Sequence, residues 1–189
     1  MSVHMTKEKP LKIRQCGSPV LRLIARQLTG NEIQSQTIQA LMTRMENLLV
    51  TRKLGVGLAA PQVGESIAFA LIKIQKTPLR PEAEDFRLAM FNPVITNTYG
   101  RKIQLWEGCI SCGSGHAGLF AKVPRYKKIE LEYYDETAQK HTQVFEGLPA
   151  HVIQHEVDHL SGVLFLDKVK DTKSYMSYSE YRKMKRRTK

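Results

Sequence analysis

Two histidines four residues apart, with an acid beside the first, are the feature of this sequence that most directly indicates chemistry. The segment reads His155-Glu156-Val157-Asp158-His159. On a helix, residues four apart lie on the same face, so both imidazoles can reach one metal ion. Glu156 lies off that line and can reach a water molecule instead. The pattern predicts metal-assisted hydrolysis, with the acid accepting and returning a proton.

A third protein ligand is expected, because a catalytic metal ion commonly takes three and leaves one position for water. Cys109 is the best candidate, in the segment Glu107-Gly108-Cys109-Ile110-Ser111. We expect this segment to be short and extended, which would let the thiolate approach a buried ion closely. An open site with one cysteine and two histidines is the favoured interpretation.

Cys112 leaves other interpretations open, because Cys109 and Cys112 form a C-x-x-C pattern. With two histidines they could complete a closed structural zinc site, or they could act as a redox pair. A strand would direct the two cysteines to opposite faces, and a closed site would leave Glu156 without a function. The redox interpretation lacks the βαβ context that would support it. We therefore favour the open site.

A glycine-rich turn at residues 55–64 is the third unusual segment. Its small residues allow close backbone approach to a ligand, and Gln62 offers an amide donor. The turn lacks the Lys-Ser/Thr ending of a nucleotide-binding loop. Beside an activated water, such a donor would stabilise the oxyanion that forms during carbonyl hydrolysis.

The helices and strands that must position these residues can be predicted from the sequence. Together they indicate an α+β fold of short, mostly antiparallel strands around a central metal-binding helix. That helix is predicted over residues 149–160, with Gly162 after its end. An amphipathic helix is predicted from a cap at Asn31 to about Lys53, and a short helix after the turn at residues 17–22. Strands are predicted at residues 67–74, 88–95, 129–134 and 142–145, the last two as a hairpin.

Composition favours one compact domain of 189 residues, because 42% of them are hydrophobic and 25% are charged. No run approaches the roughly 20 apolar residues that cross a membrane, and the first 13 residues lack the apolar run of a secretory signal. Three cysteines are too few for a disulfide framework, which is typical of a reducing compartment. We therefore expect a cytoplasmic protein that does not contact membranes.

Positive charge is concentrated near the C-terminus, within a formal net charge of +11. We divide the chain into a catalytic domain at residues 1–167 and a basic C-terminal tail or helix at residues 168–189. A basic segment attracts polyanions such as RNA, but it can also be a solvated tail that aids solubility. The sequence leaves both interpretations open.

Three segments, in order along the chain, resemble the signature motifs of peptide deformylases. They are residues 55–62 (GVGLAAPQ), 107–111 (EGCIS) and 154–159 (QHEVDH), and weaker similarity extends over residues 13–167. The resemblance implies an enzyme that removes the N-formyl group from the initiator methionine of newly made polypeptides and releases formate. It implies N-formylmethionyl nascent peptides as substrates and, through the basic segment, contact with the ribosome or rRNA.

The resemblance also implies a role for each matched residue. One divalent metal ion would be bound, with iron(II) favoured and zinc, nickel or cobalt as substitutes; its ligands would be Cys109, His155 and His159. Glu156 would be the general base and acid, while Gln62 and the backbone N–H of Ile110 would stabilise the formyl oxygen. Gly57 would pair with the peptide through its backbone. The methionine side chain would contact an apolar pocket, for which the candidates are Val56, Leu105, Trp106, Leu148 and Val152; Trp106 could equally be plain core.

The chain departs from the family pattern after Ser111, where it continues Cys112-Gly113-Ser114-Gly115-His116 in a longer loop. This leaves its substrate preference open. The resemblance also implies that Glu107 and Arg125 pair and brace the cysteine segment. His151 should lie near the methionine pocket, either as a polar lining residue or as a core histidine with a partner.

Overall fold

One antiparallel sheet with helices on both faces forms the framework. The computed structural model describes residues 10–51, 55–77, 82–113 and 118–187. The strands are β1 (Gly57–Ala59), β2 (Phe69–Ile74), β3 (Phe86–Gly108), β4 (Leu119–Tyr134), β5 (Lys140–Glu146) and β6 (Met176–Ser177). The helices are α1 (Gly30–Gln34), α2 (Gln36–Thr51), α3 (Gly147–Leu160), α4 (Phe165–Lys168) and α5 (Tyr178–Arg187). The predicted α+β fold is confirmed.

The sheet has the strand order β1-β2-β3-β4-β5, and β6 pairs with the start of β4. Strand β2 alternates between two cores, as expected for a strand buried on both faces. Ile72 packs in the core that contains residues of α3, and Leu71 packs in the core that contains residues of α2. Helix α3 is therefore held on one face of the sheet and α2 on the other.

Strand β3 is much longer than the predicted strand at residues 88–95, because it continues to Gly108 and pairs with β4. Its second half is mostly polar and exposed, so the sequence shows no buried alternation there. Pro93 lies at a register shift between Phe91 and Val94, where the ladder is already interrupted. Asn92 adopts a φ of 49° at this shift, and its side chain bonds both the N–H and the carbonyl oxygen of Leu28.

The single helix predicted from Asn31 to Lys53 is wrong, because the structure forms α1 and α2 with a break at Ser35. Ser35 has extended backbone, and its hydroxyl accepts from the N–H of Ile38, which starts a new helix. The cap of α1 is Thr29, which forms a reciprocal capping box with Glu32. Residues 52–54, where the predicted helix would end, lie outside the described residues.

The hairpin of β4 and β5 confirms the predicted turn, since Asp135 bonds the N–H groups of Thr137 and Gln139 at its tip. After α4 the chain returns to the opposite end of β4 through β6, and α5 follows. Within the described ranges, no helix is long and apolar enough to span a membrane.

Candidate metal and substrate site

Helix α3 places the two histidines together. The helix predicted at residues 149–160 is confirmed, although it begins two residues earlier, at Gly147. Gly162 has a φ of 70° and donates its N–H to the carbonyl oxygen of His159, which ends the helix. The rings of His155 and His159 have centroids 4.9 Å apart, one helical turn from each other.

Cys109 reaches these histidines from the end of β3. Its sulfur lies 3.2 Å from Nε2 of His159, and one ligand atom from each of Cys109, His155 and His159 falls within 4.8 Å of the others. In a tetrahedral zinc site, bonds of about 2.3 Å to sulfur and 2.0–2.1 Å to nitrogen would separate those two atoms by about 3.6 Å. The donor set and its spacing therefore fit one divalent cation.

The protonation of His159 suits a metal ligand. Burial lowers its pKa well below the ordinary value, so the ring is neutral at pH 7. Its Nδ1 is buried without a hydrogen-bond partner among the described residues, while Nε2 faces the sulfur of Cys109. A neutral imidazole offers one nitrogen lone pair, which is the form that binds a cation.

Glu107 orients the other histidine. It accepts a hydrogen bond of 2.9 Å from Nδ1 of His155, which leaves Nε2 as the free ligand atom. It also accepts from His151 at 2.9 Å and from two guanidinium nitrogens of Arg125 at 2.6 and 3.0 Å. Burial alone would raise the pKa of Glu107, but the hydrogen bonds from His151, His155 and Arg125 hold it far below its ordinary value. The expected pairing with Arg125 is confirmed, whereas both histidine contacts were not foreseen.

The pKa of His155 is raised overall. Burial lowers it, but the hydrogen bond and the charge of Glu107 outweigh that effect. On the far side, Arg125 donates a further hydrogen bond of 2.5 Å to Asp158, which also pairs with Lys168 at 2.9 Å. Asp158, the second acid of the histidine helix, therefore balances the buried guanidinium.

The expectation that Cys109 lies in an extended segment, with Cys112 pointing to the opposite face, is wrong. Strand β3 ends at Gly108, and Cys109 begins a tight turn in which the N–H of Cys112 donates to the carbonyl oxygen of Cys109 at 2.9 Å. The two thiols consequently meet instead of pointing to opposite faces. The nearby Cys112 thiol, together with burial, raises the pKa of Cys109. The sulfur of Cys112 nevertheless does not join the cluster of three ligand atoms, so the open site remains the better description.

Glu156 lies beside the candidate metal site without entering the ligand cluster. Burial raises its pKa to about 7, and its Oε2 has no hydrogen-bond partner among the described residues. Gly57 makes room for it, because a Cβ at Gly57 would overlap the carboxylate and lie 2.7 Å from its Cδ. A carboxyl group that titrates near neutral pH in a buried site can both accept and donate a proton.

Gln62 approaches Cys109 from the short helical turn after β1. Its Oε1 accepts from the N–H of Ala59 at 2.7 Å, which fixes the orientation of the amide. Its Nε2 donates to Ser111 Oγ at 3.2 Å and to Cys109 Sγ at 3.4 Å. Nε2, the only donor atom of the Gln62 side chain, therefore points at the sulfur of Cys109 and at the turn that follows Cys109.

A cavity of about 620 Å³ opens beside these groups. Cys109, His155 and Glu156 line its inner end together with Gln62 and Ile110. The residues predicted to bind substrate all line it as well: Val56, Gly57, Leu105, Trp106, Leu148 and Val152. His151 is a polar lining residue whose Nε2 bonds Glu107, which combines the two roles considered for it.

Comparison with known proteins assigns the family. The family model for polypeptide deformylase matches residues 10–175. The chain belongs to the peptide deformylase family. It is therefore an enzyme, a metal-dependent hydrolase that removes the N-formyl group from newly synthesised polypeptides.

Curated relatives in this family align over nearly the whole chain. Peptide deformylase 2 of Nostoc sp. is 34% identical over 177 residues, which cover 92% of this chain and 94% of the relative. Peptide deformylase of Leptospira biflexa is 34% identical over 173 residues, covering 89% and 92% respectively.

Solved deformylases have the same fold. A class I type b peptide deformylase from Acinetobacter baumannii, bound to Met-Ala-Ser, matches with a TM-score of 0.78 and 31% identity over 85% of this chain and 99% of that chain. Peptide deformylase from Thermotoga maritima matches with a TM-score of 0.73 and 31% identity over 86% and 99%.

Residues outside the recognised motifs hold the cysteine turn of this deformylase family member. Gln15 donates to the carbonyl oxygen of Ile110 at 3.0 Å and accepts from the N–H of Gly113 at 3.1 Å. The N–H of Cys16 donates to the carbonyl oxygen of Ser111 at 2.7 Å. Nothing in the spacing of the sequence signals these contacts. The atypical continuation of the loop at residues 114–116 lies outside the described residues.

Proposed function

We propose that this enzyme hydrolyses N-formylmethionyl nascent peptides with one divalent cation bound by Cys109, His155 and His159. The observation that carries the proposal is the convergence of three ligand atoms within 4.8 Å at the wall of the cavity that Glu156 lines. Thiolate and imidazole ligands suit iron(II), zinc, nickel and cobalt, in contrast to the oxygen ligands of magnesium and calcium. Iron(II) is the favoured native ion, and the other three are substitutes.

Glu156 is the proton-transfer group of this mechanism. When bound, the cation supplies a Lewis acid that lowers the pKa of water. Glu156 accepts a proton from the attacking water and then delivers it to the amine nitrogen as the formyl carbon–nitrogen bond breaks. A pKa of about 7 suits both steps, because each protonation state is accessible near neutral pH. The products are formate and a peptide with a free N-terminal amine.

Gln62 and Ile110 stabilise the negative charge that develops on the formyl oxygen. Nε2 of Gln62 and the backbone N–H of Ile110 are the proposed donors, and both residues line the cavity beside Cys109. The bond from Ala59 to the amide oxygen of Gln62 supports this role, since it keeps the nitrogen directed toward the site. Donors fixed before the reaction stabilise an oxyanion without the cost of reorganisation.

Gly57 binds the peptide backbone in this proposal. Strand β1 stands at the end of the strand order, so an extended peptide can add to its outer edge. The methionine side chain then enters the apolar part of the cavity, and the residues that contact it are Val56, Leu105, Trp106, Leu148 and Val152. Trp106 thus has a binding role in addition to any contribution to the core.

Residues 1–167 carry all the proposed metal-binding and catalytic residues, and residues 168–189 add a basic segment that contacts the ribosome or rRNA. The positive charge of that segment supports attraction to a polyanion. The enzyme works in the cytoplasm, where a reducing environment keeps Cys109 available as a thiolate ligand.

Formate release from formyl-Met-Ala-Ser, measured without oxygen in iron-loaded protein, tests the function. Glu156→Ala should retain the metal and lose turnover, because it removes the proton-transfer group and none of the ligands. The control is Glu146→Ala, since Glu146 directly precedes the same helix and its side chain is 69% exposed. Full activity of Glu156→Ala would overturn the mechanism, and hydrolysis of unformylated Met-Ala-Ser would indicate a general peptidase.

Metal analysis of Cys112→Ser separates the open site from the closed one. The open site predicts that this variant retains its ion, because Cys112 lies outside the cluster of three ligand atoms. Loss of the ion would support a structural site with four protein ligands and would contradict the catalytic proposal.

A further inference from the structure

Helix α5 forms one wall of the substrate cavity, although it lies outside the segment that the family model matches. Tyr178, Tyr181, Arg182 and Lys185 of this helix line the cavity. Their spacings of three, four and seven residues place them on one face. The cavity therefore extends from the candidate metal ligands to a helix that presents two aromatic rings and two cations.

The position of this helix is fixed by contacts with the end of the β3–β4 hairpin. Strand β6 pairs with Phe120 of β4, and the N–H of Tyr178 donates to the carbonyl oxygen of Gly118 at 2.8 Å. The ring of Tyr181 stacks on Phe120 at 4.2 Å and 13°, and it lies 5.9 Å from the ring of Trp106. The wall thus contacts Trp106, one of the residues of the proposed methionine pocket.

Among the residues of this wall, Arg182 is the one whose surroundings most clearly indicate a ligand. Its guanidinium lies 5.6 Å from the ring of Tyr178, and it forms no ion pair with any carboxylate in the described part of the chain. Its Nε is buried and has no hydrogen-bond partner among the described residues. A buried N–H without an acceptor is costly, and the Arg182 side chain lines the cavity. A substrate carboxylate that pairs with the guanidinium from the cavity would offset this cost.

The charge of the cavity indicates the chemistry of that acceptor. Its only lining acids among the described residues are Glu107 and Glu156, which lie at the metal end. At the other end, Arg182 and Lys185 line the cavity, and Lys185 lies 5.9 Å from the ring of Tyr181. Cations at the outer wall complement a carboxylate and oppose a lysine or arginine.

We propose that Arg182 determines specificity by binding an acidic side chain of the nascent peptide, a few residues after the formylmethionine. This inference rests on the proposed function, because it places the methionine at the inner end of the same cavity. A guanidinium suits the task, since its planar donors match a carboxylate. The neighbouring Arg186 is exposed and does not line the cavity, so it remains available to a polyanion.

The test uses pairs of formyl-Met peptides. One member of each pair carries a single aspartate at the second, third or fourth position, and the other carries asparagine at that position. Amidated C-termini ensure that the aspartate is the only carboxylate. At one of these positions we expect kcat/KM to be about fivefold higher for aspartate, mainly through KM, which is the scale of a partly exposed ion pair. Arg182→Gln should remove this preference, so that the aspartate and asparagine peptides have equal kcat/KM, whereas Arg182→Lys should keep part of it. Arg186→Gln, the matched control on the same helix, should retain it in full.

Fluorescence of Trp106, the only tryptophan of the chain, gives a second readout without catalysis. Titration with deformylated peptides should show the same preference for aspartate in the parent and none in Arg182→Gln. The inference is overturned if the parent shows no preference for aspartate, or if Arg182→Gln retains that preference. It is also overturned if Arg182→Gln weakens the binding of both peptides equally, because a purely structural role would have that effect. If no formyl peptide releases formate, the proposed function fails, and the binding titration still decides whether Arg182 recognises acidic peptides.

Discussion

Replacing Glu107 by glutamine should weaken the fold and the metal site together, because one buried carboxylate serves both. Glu107 is 4% exposed and accepts hydrogen bonds from Arg125, His151 and His155. A neutral amide of similar size removes the negative charge beside the buried Arg125. Its N–H₂ group also cannot accept from the Nδ1 of His155 as a carboxylate oxygen does.

The size of the expected loss in stability follows from the contacts of Arg125 that remain in Glu107→Gln. Removing one partner of a buried ion pair costs about 3–5 kcal/mol. Asp158 still pairs with Arg125, and glutamine keeps one acceptor oxygen, so we expect the free energy of unfolding to fall by about 2–3 kcal/mol. Metal affinity should fall about 10- to 100-fold, which is typical when a histidine ligand loses its orienting partner.

Urea unfolding of the metal-free protein measures the first quantity, and competition with a chromophoric chelator measures the second. Glu132→Gln is the matched control, because Glu132 pairs with Lys140 at 2.8 Å and their side chains are 36% and 54% exposed. That surface pair should contribute less than about 1 kcal/mol and leave metal affinity unchanged.

A double variant separates the two effects. Glu107→Leu with Arg125→Met replaces the buried pair by apolar groups of similar size, which should recover the part of the lost stability that comes from an unpaired Arg125. Metal affinity should stay low, because His155 still lacks its acceptor. The reasoning is refuted if the free energy of unfolding of Glu107→Gln lies within about 0.5 kcal/mol of the parent value. It is also refuted if the double variant binds metal as tightly as the parent.

Three further perturbations test other parts of the structure. Gly57→Ala should lower kcat about 100-fold with unchanged metal content, because the added Cβ would displace the Glu156 carboxylate; a normal rate would contradict this. Glu46→Gln should cost about 1 kcal/mol at pH 7. A hydrogen bond from Lys73 lowers the pKa of Glu46 below its ordinary 4.5, so its stabilisation is present above that value and is lost as the pH falls through the folded-state pKa. Urea curves of the two proteins should therefore converge as the pH falls below 4.5 and through the folded-state pKa, and a constant difference would rule out this pair as the cause. Gly162→Ala should destabilise by about 2–3 kcal/mol, since φ is 70° and the Cβ would lie 2.6 Å from a backbone carbonyl oxygen; an unchanged urea midpoint would be inconsistent with that strain.

The elements that could be predicted are those whose signal is local. Helix α3 follows from its apolar spacing and its terminal glycine, and the β4–β5 hairpin follows from two apolar runs around a polar turn. The break at Ser35 was missed because a serine hydroxyl can either face solvent or start a new helix, and the apolar pattern continues across it. The second half of β3 was missed because its polar residues pair with β4 instead of entering the core.

The sequence by itself determined the chemistry of the histidine helix, since the distance between His155 and His159 is a property of helical geometry. Only the tertiary structure decided the rest of the site. The contact of Cys109 with His159 joins residues 50 positions apart, and the bond from His155 to Glu107 joins residues 48 positions apart. Such contacts depend on how strands pair and how the sheet packs on α3, which no local pattern encodes. The pairing of β6 with β4 likewise brings α5 to the cavity, where a basic C-terminal segment becomes part of the substrate wall.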